Sequence, residues 1–133
     1  MDNPPVKKIY EFEDFRFVAE HLMLYRRGES IPLAPKAAET LLVLIERRGQ
    51  ILSKEELIEQ IWPDAFVEES NLYLYLSVLR KTLGNQKSGT PYLETLRRRG
   101  YRFNGTVQLI SDGSWEEPHS APVQVIEPID SFR

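Results

Sequence analysis

The sequence predicts an α+β fold: a four-stranded antiparallel sheet at the N-terminus, three helices, and a C-terminal β-hairpin. Three observations predict it. Four short β-prone runs, separated by turn or polar residues, lie between Lys8 and Leu33. From Pro35 the apolar residues recur at helical spacing, as far as Leu83. After that, two more strand-like runs flank Arg97-Arg98-Arg99-Gly100.

The strand runs are Ile9-Tyr10-Glu11-Phe12, Phe15-Arg16-Phe17-Val18, Leu22-Met23-Leu24-Tyr25 and Ser30-Ile31-Pro32-Leu33. Glu13-Asp14 and Arg27-Gly28-Glu29 mark turns between them, and the short regular spacing predicts a meander. The first helix opens on Pro35, whose missing N–H is not needed in a first turn. Ala38, Leu41, Leu42 and Ile45 form its apolar face, and Gly49 is a C-terminal stop. Ser53-Lys54-Glu55-Glu56 reads as a capping box, serine at the cap with glutamate three residues on. Leu57, Ile58, Ile61 and Trp62 follow, and Pro63 ends that second helix. In the third, Leu72, Leu76, Leu79 and Leu83 fall on one stripe, closed by Gly84-Asn85. With Leu72 at the centre of the buried side, Ser70, Leu74, Ser77, Val78 and Lys81 face solvent, and Tyr75 sits at the edge. The hairpin comprises residues 91–96 and 101–103 around the arginine tip.

Three divisions follow. Residues 1–7, polar with two prolines, are expected to be a flexible arm. Residues 8–107 form the domain, and residues 108–133 read as an acidic, proline-containing linker or tail. An alternative has the tail pack back through Trp115, Val123, Val125 and Ile126 as an added strand.

The net charge of −3 hides a segregation. Between Ser70 and Thr106 there are seven basic residues against one acid, whereas the stretches on either side are acidic. A phosphate backbone responds to such a local basic field rather than to the sum. The chain has no cysteine, which excludes disulfides, thiolate metal sites and a cysteine nucleophile. His21 and His119 have no metal-ligand spacing around them. No nucleophile–base pair or phosphate loop is visible, so neither catalysis nor a cofactor or metal is expected. Glu55, Glu56 and Glu59 read as capping and a solvated face. Without an apolar run of membrane length or a signal core, a soluble cytoplasmic protein is the expectation.

Leu79-Arg80-Lys81-Thr82-Leu83-Gly84 and Thr95-Leu96-Arg97-Arg98-Arg99-Gly100-Tyr101-Arg102-Phe103, in this order of elements, resemble the OmpR/PhoB-type winged helix-turn-helix family. That family supplies the effector domain of many bacterial response regulators. Leu33-Ala34-Pro35-Lys36 and Leu52-Ser53-Lys54-Glu55-Glu56-Leu57 with Trp62 add to the resemblance, which spans roughly residues 10–103. It implies sequence-specific binding of double-stranded DNA in transcription regulation. The third helix, about residues 70–83, would lie in the major groove, and the hairpin would be the wing. Ser70, Asn71, Tyr73, Leu74, Tyr75, Ser77 and Val78 would then face bases or backbone, with Arg80 and Lys81 on phosphates. Arg97, Arg98, Arg99 and Tyr101 would serve the wing. The loop of Pro63, Asp64, Ala65, Phe66, Val67, Glu68 and Glu69 would be the surface that family members turn toward RNA polymerase. Self-association on DNA is a further implied contact. Trp62 would combine core packing with a phosphate contact.

The bare residues lead the same way. A helix that packs on one side and is basic near its end can lay its outer face on base edges. A thin arginine-tipped hairpin can enter a minor groove, where negative potential is concentrated. This chain departs from the family in two places. Arginine or histidine is frequent in the family where Ser70, Tyr75, Ser77 and Val78 stand here, and Arg98 replaces a usual wing glycine. The competing reading is a protein-interaction module on the same scaffold, using Leu74 and Val78 for a partner, with weak or no DNA binding. From the early start of the first strand, no receiver domain is expected ahead of it. A sensory or interaction domain is therefore expected downstream.

Overall fold

The computed structural model describes residues 8–110. Four strands, β1 (Ile9–Phe12), β2 (Phe15–Val18), β3 (Met23–Arg26) and β4 (Glu29–Ile31), form the expected antiparallel meander. Two strands differ in their bounds from the sequence reading, β3 being 23–26 rather than 22–25 and β4 29–31 rather than 30–33. Leu22 has φ +53°, outside strand geometry, so β3 begins one residue later. Pro32 has no N–H for a ladder, and β4 ends at Ile31. The two-residue turn between β3 and β4 uses Arg27 and Gly28, both with positive φ, as the twist of a tight hairpin requires.

Three helices follow: α1 (Pro35–Glu46), α2 (Lys54–Ile61) and α3 (Glu69–Leu83). Pro35 occupies the first turn of α1. The capping box of α2 is complete: Glu56 N–H donates to Ser53 Oγ at 3.1 Å, and Ser53 N–H donates to Glu56 Oε1 at 2.8 Å. Each bond satisfies a backbone donor that the first helical turn leaves without a partner. In α3 the four leucines of the stripe are all buried, and Gly84, at φ +67°, closes the helix. They join Leu41, Leu44, Ile45, Leu57 and Ile61 and the inner sheet residues Tyr10, Phe12, Phe15, Phe17 and Leu24 in one core.

The hairpin is β5 (Leu93–Leu96) and β6 (Gly100–Phe103), a separate two-stranded sheet. Just before β5, Tyr92 packs edge-to-face on Phe12 and Phe15 of the first sheet, and Phe103 does so on Phe12, with ring centroids 5.4–5.8 Å apart. A second tie is polar. The Tyr92 hydroxyl donates to Glu13 Oε1 at 2.5 Å, and the same carboxylate accepts from Lys87 N–H.

The structure extends the fold beyond the expected boundary at residue 107. A strand β7 (Gln108–Ile110) pairs antiparallel with β1, making the first sheet five-stranded in the order β4-β3-β2-β1-β7. Three residues are too few to show a period of two, and their partner lies at the other end of the domain. The expected arm, residues 1–7, and the remainder of the tail, including Trp115, Val123, Val125 and Ile126, lie outside the described residues.

Candidate nucleic-acid interface

The N-terminal turn of α2, Tyr73 of α3 and the hairpin tip converge on one open cleft of about 450 Å³. Ser53, Lys54 and Glu55 border it from α2, Tyr73 from α3, and residues 95–101 from the hairpin. A groove beside it brings Arg80 and Tyr73 of α3 against Thr95 and Tyr101. Arg80 Nη1 donates to Thr95 Oγ1 at 3.1 Å, so the C-terminal half of α3 is tied directly to β5.

The burial of α3 follows from the leucine stripe. Ser70, Asn71, Leu74, Val78, Arg80 and Lys81 are exposed, while Tyr75 and Ser77 are half-buried. Tyr73, Leu74 and Val78 are 41%, 58% and 37% exposed, a cost in apolar hydration that packing within the domain does not offset. Tyr75 lies 6.1 Å from Trp62, ring to ring, and the Lys36 ammonium sits 5.7 Å from the Trp62 ring. Trp62 is therefore half-buried between α1 and α3.

At the hairpin tip Arg97, Arg98 and Arg99 are all exposed, and among the described residues none of them forms an ion pair. Arg98 has φ +64°, and Arg99 N–H donates to Leu96 O at 2.9 Å, which closes the turn. Arg102 is different. Its Nε and Nη2 reach Glu94 Oε1 at 3.2 and 3.0 Å, and Asn104 Nδ2 reaches the same oxygen at 3.0 Å. Those donors, Asn104 first and then Arg102, hold the Glu94 carboxyl below its usual range. The positive charge of the hairpin is thus concentrated in its tip rather than its strands.

Tyr101 is half-buried, and its backbone forms a bridge with Leu52: N–H to O distances are 2.8 and 2.9 Å in the two directions. Burial pushes its phenol pKa up. This bridge fixes the hairpin against the residue before the α2 cap. The preceding residue, Gly100, has φ +137°, and a Cβ there would stand 2.1 Å from Leu52 O.

Lys54 reaches the cleft without having been singled out for it. Lys54 Nζ pairs with Glu69 Oε1 at 3.1 Å, and the Tyr73 hydroxyl donates to the same oxygen at 3.2 Å. The bond to Glu69 raises the Lys54 pKa. Fifteen residues separate Lys54 from Glu69, so no local pattern points to the pair. In the loop before α3, Pro63, Asp64, Ala65, Phe66 and Glu68 are exposed, and Val67 is half-buried. Phe66 is 94% exposed. Glu69 belongs to the first turn of α3, where a negative charge suits the helix dipole. No group of three potential metal ligands occurs among the described residues, and no helix there is long and apolar enough to cross a membrane.

A meander, three helices with an exposed third, and a basic-tipped hairpin together define a winged helix-turn-helix domain. The chain belongs to the family described as "Transcriptional regulatory protein, C terminal", the OmpR/PhoB-type DNA-binding domain, matched over residues 28–103. Among curated relatives, the transcriptional regulator HilA of Salmonella typhimurium is 36% identical over 108 residues, 81% of this chain and 19% of that protein. The transcriptional activator CadC of Escherichia coli is 30% identical over 93 residues, covering 69% of this chain and 18% of CadC. The chain thus spans under a fifth of either relative. Of solved structures, the DNA-binding domain of E. coli CadC superposes with a TM-score of 0.65 at 24% identity, covering 80% of this chain and 99% of that one. The response regulator DrrB of Thermotoga maritima gives a TM-score of 0.64 at 28% identity, covering 73% of this chain and 44% of that one. The family and these neighbours are regulators of transcription or their DNA-binding domains, not enzymes.

Proposed function

We propose that this domain binds double-stranded DNA sequence-specifically, with α3 in the major groove and the hairpin tip in the adjacent minor groove. The observation that carries the reading is the convergence of three exposed arginines at the hairpin tip with Tyr73 of α3 on one cleft. Arg97, Arg98 and Arg99 meet the negative potential of a narrow groove. Arg80 and Lys81 contact phosphates and set register. Ser70, Asn71, Tyr73, Leu74, Tyr75, Ser77 and Val78 lie toward base edges, with Leu74 and Val78 suited to thymine methyl groups. A structure of the RstA DNA-binding domain of Klebsiella pneumoniae in complex with RstA box shares the fold, at a TM-score of 0.60 and 22% identity.

The segment from Pro63 to Glu69, with Phe66 94% exposed, serves as a contact for RNA polymerase on this reading, and neighbouring copies associate on DNA. Exposure of Leu74 and Val78 also favours a second reading, in which α3 binds a protein partner and DNA binding is weak. Duplex titration across salt concentrations separates the two. Phosphate contacts release counterions, so affinity for DNA falls steeply with salt. An affinity for duplex that is negligible, or flat with salt, removes the DNA reading. Selection of bound duplexes from a random pool then tests specificity: enrichment of a common sequence supports it, and none refutes it.

A further inference from the structure

A helix in the major groove and a tip in the adjacent minor groove of one duplex are separated by a single sugar-phosphate strand. The cleft between α3 and the hairpin is the path of that strand, so its walls are where phosphate contacts belong. Two side chains of those walls, Lys54 from α2 and Tyr73 from α3, are already engaged in the free protein. Lys54 Nζ stands 3.1 Å from Glu69 Oε1, and the Tyr73 hydroxyl donates to the same oxygen at 3.2 Å. Glu69 does not border the cleft itself; it holds two side chains that do.

This pair can open at little cost. The Lys54 and Glu69 side chains are 38% and 48% exposed, and an ion pair in that much water contributes little. A backbone phosphate offers the ammonium the same kind of bond and also releases condensed counterions, which a lone carboxylate does not. The hairpin's own ion pair is built differently. Glu94 accepts from two nitrogens of Arg102 and from Asn104, so that cation stays within a closed set of bonds. Tyr73 lies four residues after Glu69, on the same side of α3, and its hydroxyl keeps the carboxylate in place when the ammonium leaves. We propose that Glu69 is a built-in competitor for the DNA backbone: it holds Lys54 until a phosphate of the strand crossing the cleft takes the ammonium from it. The inference rests on the DNA reading above and adds Lys54 to its phosphate contacts. A phosphate carries no sequence, so the latch lowers affinity for every duplex alike and leaves the preference to α3.

Anisotropy titrations of the 133-residue chain with a selected and an unrelated duplex, at one moderate salt concentration, test this. Glu69→Gln removes the competing charge and keeps an acceptor for Tyr73. It should tighten binding to both duplexes roughly two- to five-fold, the range an exposed ion pair spans. Lys54→Met should weaken binding and reduce the slope of log affinity against log salt by about one unit. In the Lys54→Met background Glu69→Gln should lose most of its gain, because the competitor acts through Lys54. Glu55→Gln removes a charge that borders the cleft but, among the described residues, forms no ion pair with Lys54, and it should gain less. A gain from Glu69→Gln that is the same with and without Lys54 overturns the proposal, since it reduces the effect to net charge. A Glu69→Gln chain that binds no tighter also overturns it. So does one that prefers a different sequence, which makes the carboxylate a reader of bases. In those three cases the wild-type chain still binds duplex with a steep salt dependence, and the DNA reading stands. No salt-dependent binding by either the wild type or Glu69→Gln removes that reading and the latch together.

Discussion

Replacing Gly100 by alanine tests how the wing is held. The residue sits at φ +137°, where a side chain is strained, and its Cβ would meet Leu52 O at 2.1 Å and Leu52 C at 2.7 Å. Both are backbone atoms flanking the α2 cap, so no side chain can turn aside. Either Gly100 or Leu52 must move, and the two bonds between Leu52 and Tyr101 are the first to go. Backbone strain of this kind costs roughly 1–3 kcal/mol. Two backbone hydrogen bonds add about 1 kcal/mol each. A loss of about 3–5 kcal/mol is expected in urea unfolding followed by circular dichroism. For a domain of this size that corresponds to a fall in Tm of well over 10 °C, since each kcal/mol shifts it by roughly 4–8 °C. Gly49 is the control. It also has positive φ, at +86°, but a Cβ there meets nothing within 4 Å. Gly49→Ala should cost about 1–2 kcal/mol, the left-handed penalty alone. If Gly100→Ala costs no more than Gly49→Ala, the contact with Leu52 does not hold the wing and the reasoning fails.

Arg97→Ala should weaken duplex binding by about 1–3 kcal/mol, more on sites with narrow A·T-rich minor grooves; unchanged affinity at moderate salt removes the wing from the interface. Lys81→Ala should reduce the slope of log affinity against log salt by about one unit and leave the selected sequence alone; a new preference with the old slope contradicts a phosphate role. Val78→Arg should shift preference toward guanine, whose N7 and O6 accept both arginine donors; an unaltered preference with lost protein association favours the interaction reading. Burial first, then the bond to Glu13, raises the Tyr92 phenol above its ordinary 10.0, so its contribution to stability is complete below pH 10 and is lost as pH rises above it. Tyr92→Phe should cost about 1–3 kcal/mol at neutral pH, as expected for a hydrogen bond to a charged group, and flatten the alkaline loss in urea titrations; Tyr10 and Tyr101, shifted the same way, keep the remaining slope.

The sequence shows those parts of this fold whose causes are local. Ser53 and Glu56 are three residues apart, and the leucines of α3 recur turn by turn, so cap and stripe are both visible and both form. The exposed positions of α3 follow from that stripe, and the basic tip follows from three adjacent arginines. What stays hidden depends on residues far apart in the chain. β7 pairs Ile110 with Ile9, and Leu52 reaches Tyr101 across all of α2 and α3. Glu13 collects Tyr92 and Lys87 from the far side of the helices. Charge counting misleads for the same reason: Arg102 belongs to the basic stretch, yet Glu94 holds it across the hairpin.

These long-range ties give the interface its shape. A run of arginines on a free loop would be a solvated turn and nothing more. Here the tip is held from below by Tyr92 and Phe103 against the first sheet, from one side by Leu52, and from α3 by Arg80 on Thr95. Those three anchors come from three different parts of the chain and constrain the hairpin along different directions. A base-reading helix and a groove-entering tip can act on one duplex only if their separation is fixed before DNA arrives, because ordering them on binding would subtract from affinity. Arg80 is the one of these residues that bears on both parts. Its bond to Thr95 has to be kept, or exchanged for a phosphate, when the duplex is engaged, and either outcome links how tightly α3 sits to where the wing lies.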